Sequence, residues 1–185
     1  PGGSPVQADE MYHSIISLRK EYPKKKVIAV CSEMCASAAY YVASAANTIY
    51  ANPSSIVGSI GVISSGFGFS ELMSKLGIKR RVYTAGKNKS FLDPFSEVRP
   101  GDKEKLQTML TDIHNDFKNN VIAGRGKRLT ITDETFSGLF WTGRQAKKMG
   151  LIDGFSSIRQ PYKTLPRVPY SHDDNLFEQI NKQLT

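Results

Sequence analysis

Ser37 stands where a serine could act as a nucleophile. It follows the apolar run Val27-Ile28-Ala29-Val30-Cys31 by a short loop, and it opens a small-residue stretch, Ser37 to Ser44, that reads as a helix. A strand–turn–helix junction exposes a hydroxyl and aims helix N–H groups at negative charge developing there. The same position suits a simple N-cap serine, and the local sequence alone favours that role over a nucleophile. Gly2-Gly3 is a second candidate. Glycine lets a backbone N–H approach a ligand closely, as an oxyanion donor must, though Pro-Gly-Gly is also an ordinary turn.

A serine nucleophile needs a base. His13 lies in a charged helical stretch, His114 in the long helical stretch beside its apolar stripe, and His172 near the C-terminus, none of them in a Gly/Ser loop. A lysine serves as base once desolvation brings its pKa from about 10.4 toward roughly 7–8. Gly86-Lys87-Asn88-Lys89-Ser90 offers two, and apolar Phe91-Leu92 follows Lys89. Spacing leaves Lys87 and Lys89 both open. An acid/base pair of carboxylates is poorly served, because Glu33 is the one carboxylate in the loop before Ser37.

The net charge of +8 and the pI near 9.5 raise the question of anionic partners. The basic runs Lys24-Lys25-Lys26 and Lys79-Arg80-Arg81 are short and flank predicted strands, as solvated loops do. No aromatic residues interleave with them as a single-strand nucleic-acid surface requires, so nucleic acid is not an expected partner. Attraction to an anionic membrane surface is compatible with the charge. Cys31 and Cys35 make neither a disulfide framework nor a metal site and read as buried small hydrophobes; no metal or organic cofactor is implied.

The surrounding elements alternate between helix and strand, which predicts a parallel sheet with helices packed on it. A helix is expected over about Ala8–Tyr22, with Ala8, Met11, Tyr12, Ile15 and Ile16 on one face and Pro23 ending it. Strands are expected at Val27–Cys31, Thr48–Ala51, Ile56–Ile63 and Arg80–Thr84, and a short helix over Phe69–Leu76, closed by Gly77. The longest helix should run from about Lys103 to Ile122, burying Leu106, Leu110, Ile113, Phe117 and Val121. Thr142 and Gln145 form a capping-box pattern, with Gly150 as the stop. Residues 1–158 read as one domain and 159–185 as a Pro-containing linker with an amphipathic end, Leu176, Phe177, Ile180 and Leu184 sharing a face. No stretch is apolar enough for a membrane span.

Several blocks occur in a telling order: Pro1-Gly2-Gly3, Cys35-Ala36-Ser37-Ala38-Ala39-Tyr40-Tyr41, Ala51-Asn52-Pro53, Gly58-Ser59-Ile60-Gly61-Val62, Gly86-Lys87-Asn88-Lys89-Ser90, Thr142-Gly143-Arg144-Gln145-Ala146 and Gly150-Leu151-Ile152-Asp153. Together they resemble the signal peptide peptidase A (SppA) and SohB-type serine–lysine peptidases over nearly all of residues 1–158. The resemblance implies a Clp protease/crotonase-like α/β fold, a mostly parallel sheet of repeated ββα-type units with flanking helices. It implies Ser37 as nucleophile, Lys89 as base, Ser59 as the residue aiming the amine, and the N–H groups of Gly3 and Ala38 as the oxyanion hole. The family has Ser-Gly-Gly where this chain has Ser37-Ala38-Ala39, a change that keeps the N–H donor but narrows φ and adds a methyl near the substrate. The implied substrates are signal peptides and other extended hydrophobic peptides. The implied assembly is a homo-oligomer whose active sites lie between subunits, at a bacterial inner membrane with the catalytic domain on the extracytoplasmic side. Because Pro1 opens inside the glycine motif, a longer protein with an upstream strand and a membrane anchor is expected. Two other readings share these residues: a crotonase-type acyl-CoA enzyme, and a non-catalytic scaffold suggested by Ala38-Ala39.

Overall fold

The computed structural model describes residues 1–157. The linker and amphipathic end over 159–185, with His172, fall outside the described residues.

Pro5 starts the first helix, α1 (Pro5–Glu21), ahead of the expected Ala8, because proline is preorganised for the first helical position and Ser4 stands at the N-cap. Then come β1 (Ile28–Cys31), β2 (Met34–Ala36), α2 (Ala38–Ser44), β3 (Thr48–Ala51), β4 (Ile56–Gly58) and α3 (Ser70–Lys75). The chain closes with α4 (Asp102–Arg125), β5 (Phe140–Thr142), α5 (Gly143–Lys148) and β6 (Gly154–Phe155). One sheet runs β1-β3-β6, all parallel, with Ile28 opposite Thr48 and Tyr50 opposite Gly154. In the other, β2 pairs parallel with β4 and β5 joins antiparallel. The fold is therefore α/β with predominantly parallel pairing and flanking helices.

The core gathers Tyr40, Ile49, Val57, Ile60, Val121 and Leu151, all essentially inaccessible to solvent. From α1 only Ala8 and Tyr12 are buried, while Met11 is exposed, so the working face is narrower than the apolar pattern suggested. Gly124 lets α4 touch α2, since a Cβ there would run into the Ser44 carbonyl. The capping box forms as expected, Thr142 and Gln145 bonding each other's backbone N–H. Arg125 is a buried cation. Its Nη1 and Nη2 donate to the two Asp153 carboxylate oxygens at 2.9 Å each, and its Nε donates to the Gly150 carbonyl. Arg128 adds a bond to Asp153 at 3.2 Å, and Asp153 also accepts the Ile49 N–H. The Gly150–Asp153 block thus docks the end of α4 against β3.

Two expected strands change. The strand at Ile56 stops at Gly58 rather than Ile63, because Gly58 has φ 115° and Ser59 φ 52°, which end the extended run. Arg80–Thr84 forms no strand, finding no partner among the described residues, and Val82 and Tyr83 are exposed. Both belong to a larger feature. Between Ile60 and Phe117 no residue is buried, so this span leaves the core as an arm carrying α3 and the first half of α4. Phe117 and Val121 of the expected α4 stripe are buried, whereas Leu106, Leu110 and Ile113 are only half covered. At the neck of the arm, His114 Nε2 lies 3.0 Å from the Ile60 carbonyl. A carbonyl only accepts, so Nε2 carries the proton.

Gly58 cannot accept a side chain cheaply. A Cβ there would sit 2.7 Å from the Trp141 ring, at a φ that L-residues rarely adopt. Gly58→Ala is expected to destabilise the chain by about 2–3 kcal/mol. The check is a lower urea midpoint at unchanged slope.

Candidate active site

The nucleophile candidate sits on a tense corner. β2 ends at Ala36 and α2 begins at Ala38, so Ser37 is the joint, with φ 54° and ψ −125°. A non-glycine residue held there costs of order 1–3 kcal/mol and must be forced by its surroundings. The forcing is visible: Ala36 is in register with Gly58, the Ser37 N–H donates to the Gly58 carbonyl at 2.8 Å, and the Ser37 carbonyl accepts from Tyr41 N–H at 2.9 Å. The Ser37 hydroxyl makes no capping bond, so its side chain does not act as an N-cap. The short loop expected before it is β2, a strand too brief for the sequence pattern to show.

Gly2-Gly3 runs against this corner. A Cβ built on Gly2 would meet Ser37 Cβ at 3.5 Å and Oγ at 3.8 Å, and one on Gly3 would meet the Ala38 methyl at 3.6 Å. Gly3 and Ala38 therefore flank the serine, at the heads of α1 and α2. With the Ala38 methyl in place, a cavity of about 120 Å³ stays open beside Ser37. Pro5, Tyr41, Val62, Ile63, Ile113 and Phe117 give that cavity its apolar lining.

Ser59 is brought to the same corner. It follows Gly58, the residue that accepts the Ser37 N–H, and its own N–H is held by the Leu139 carbonyl at 2.7 Å. Lys89 is not brought there within this chain. It lies in a run of turns on the arm, exposed, with its N–H bonded to the Gly86 carbonyl, and it does not line the Ser37 cavity. Lys87 is exposed on the same turns, and its carbonyl is held by Arg99. The arm displays large apolar side chains to solvent, among them Phe67 at 80%, Tyr83 at 89% and Val98 at 74% exposed.

Cys31 and Cys35 are buried free thiols, as expected. The hydrogen bond between them, and then burial, push Cys35 upward, so it stays a protonated thiol rather than a second nucleophile beside Ser37. Glu33 is exposed and lines a different cavity with Ser32, Asn52 and Ser156. The described residues contain no cluster able to hold a metal ion. Sequence reasoning missed Asp9, Tyr41 and Asn120. Tyr41 stacks on Phe117 with ring centroids 4.5 Å apart in the cavity wall, and its hydroxyl donates to Asp9 at 2.7 Å. Tyr41 ends one of the blocks that carry the resemblance, but Asp9 and Asn120 are distant from it in sequence and lie in none of them.

Comparison with known proteins shows what the chain is similar to. A family model for peptidase family S49 matches residues 19–167. A protein of Brucella abortus (strain 2308) named Na(+)/H(+) antiporter NhaA is 47% identical over 159 residues, 86% of this chain and 22% of that protein. A protein of Synechocystis sp. (strain ATCC 27184 / PCC 6803 / Kazusa) named as a protease is 34% identical over 153 residues, 83% of this chain and 54% of its own. The chloroplastic serine protease SPPA of Arabidopsis thaliana is 30% identical over 159 residues, 85% of this chain and 23% of its own. The chain thus spans about half the length of one of these relatives and less than a quarter of the other two. A solved enoyl-CoA hydratase/isomerase family member aligns with 94% of the chain and 43% of its own at 14% identity and a TM-score of 0.34, too loose an overlap to bear on chemistry. The family match covers Ser37, both candidate lysines and the Gly150–Asp153 block, and the chain belongs to peptidase family S49.

Proposed function

We propose that this chain is the catalytic part of a serine endopeptidase that cleaves extended apolar peptides through an acyl-enzyme, with Ser37 as nucleophile and Lys89 as base. The observation that carries the reading is the Ser37 corner, a strained, uncapped serine flanked by Gly3 and Ala38 at two helix heads. In this mechanism neutral Lys89 removes the Ser37 proton as Oγ attacks the peptide carbonyl. The N–H groups of Gly3 and Ala38 hold the oxyanion, and the protonated lysine then passes its proton to the leaving amine. Water repeats the cycle on the ester. Ser59, next to the residue that anchors Ser37, aims the amine. The apolar cavity would take one substrate side chain.

A lysine works as a base only when desolvated. Lys89 is exposed on an arm whose apolar residues are uncovered, which supports a homo-oligomer in which the arm of one copy covers the Ser37 corner of the next. Membrane association, at a bacterial inner membrane with this domain outside the cytoplasm, belongs to the same proposal. Among the described residues no helix is long and apolar enough to cross a membrane.

A fluorophosphonate probe together with a peptide-hydrolysis assay tests the reading. The wild type should label at one serine and hydrolyse peptide, and Ser37→Ala should do neither. Equal labelling of Ser37→Ala, or undiminished hydrolysis by it, overturns the assignment of the nucleophile.

A further inference from the structure

Both oxyanion donors sit at helix heads. Gly3 lies just before α1, and Ala38 is the first residue of α2. The gap between their N–H groups is therefore set by how α1 sits on α2. Apolar packing of Ala8 and Tyr12 brings the helices together, but such packing is tolerant of small slides. Hydrogen bonds fix distance and direction more sharply.

One polar knot does this near both heads. Tyr41, one turn into α2, donates its hydroxyl to Asp9 Oδ1 of α1 at 2.7 Å. Asn120 of α4 donates to the same Asp9 oxygen at 3.0 Å and also to the Tyr41 hydroxyl. The Tyr41 ring is 3% exposed and stacked on Phe117, so the hydroxyl has little freedom to point elsewhere. Its backbone N–H holds the Ser37 carbonyl, so a shift of Tyr41 is passed directly to the nucleophile. We infer that Tyr41, held by Asp9 and Asn120, is a positioning residue that sets the spacing of the oxyanion hole against Ser37. This rests on the peptidase reading of the same corner.

The ring of Tyr41 faces the substrate cavity while its hydroxyl faces Asp9. Tyr41→Phe therefore releases α2 from the knot, the Asn120–Asp9 bond remaining, and leaves the apolar wall in place. Misplacing reacting groups by a fraction of an ångström to an ångström costs up to about 100-fold in rate. With kcat taken per site titrated by the fluorophosphonate, Tyr41→Phe should lower kcat by roughly 10- to 100-fold and leave KM within about twofold. Asp9→Asn retains an oxygen that accepts from both Tyr41 and Asn120, so it should keep kcat within about threefold of wild type. An active wild type with kcat unchanged in Tyr41→Phe overturns this assignment alone. So does an Asp9→Asn loss as deep as that of Tyr41→Phe, which would point to charge rather than spacing, or a loss in Tyr41→Phe confined to the number of titrated sites. A wild type that neither labels nor hydrolyses peptide overturns both this assignment and the function it serves.

Discussion

Lys89→Ala is expected to lower peptide hydrolysis by about 10⁴-fold or more, the scale seen when a nucleophile loses its base. Lys87→Ala should stay within about twofold, and Ser59→Ala should fall between them, since it orients the amine without taking the proton. Wild-type activity should rise toward alkaline pH, because only the neutral amine accepts the Ser37 proton. Equal losses at both lysines would show that neither is uniquely the base. The exposed arm adds a sharper forecast. Mix Ser37→Ala and Lys89→Ala chains equally after dissociating and reassembling them. A site then needs its serine from one copy and its lysine from the next, so about a quarter of sites in a head-to-tail ring regain activity. Zero recovery, with exchange of copies verified, would place both groups in one chain.

Asp153→Ala should cost on the order of 3–5 kcal/mol, because it leaves the buried Arg125 guanidinium without its bidentate partner. The measurement is the urea unfolding midpoint, compared with Asp133→Ala, an exposed carboxylate for which a change below about 0.5 kcal/mol is expected. A cost at Asp153 as small as that would mean Arg125 finds other partners or water. The pH dependence has a definite sign. Burial disfavours the charged Asp153 carboxylate, but the bonds from Arg125 and the Ile49 N–H, with the charges of Arg125 and Arg128, outweigh it and hold the carboxyl below its ordinary value. The stabilisation is complete above the unfolded value of about 3.9 and is lost as pH falls through the lower folded value. Stability should therefore erode in acid below about pH 4, and Asp153→Ala should lack that part of the acid dependence.

The candidate site was legible where its elements are local. Ser37 could be singled out as a candidate because a strand, a joint and a helix lie within a few residues of it, and Gly3 because glycine pairs mark close backbone approach, although the same patterns suit an N-cap and a turn. Spacing alone left Lys87 and Lys89 open, since the physics that separates them, burial against another surface, has no signature in neighbouring residues. Asp9, Tyr41 and Asn120 were invisible for a related reason: their bonds join positions 32, 79 and 111 apart. The strand expected at Arg80–Thr84 failed because β-propensity records a side chain's fit to a half-buried pleat, and among the described residues that pleat is missing. The strand at Ile56 ran short for a backbone reason, the positive φ of Gly58 and Ser59, which apolar periodicity does not register.

The arm leaves the core at Ile60 and returns at His114, and the bond between these two residues pins the exit beside the entrance. The closure entropy of such a loop grows only with the logarithm of its length, each doubling adding about 0.6 kcal/mol. The core is therefore almost indifferent to how long the excursion is or how it is spelled. Val62, Ile63 and Ile113 of this span line the Ser37 cavity, and Lys89 is the proposed base, so insertions and deletions can accumulate only in the stretches of the arm between them. Those stretches are free to evolve faster than the core, held only where the proposed chemistry reaches into the arm.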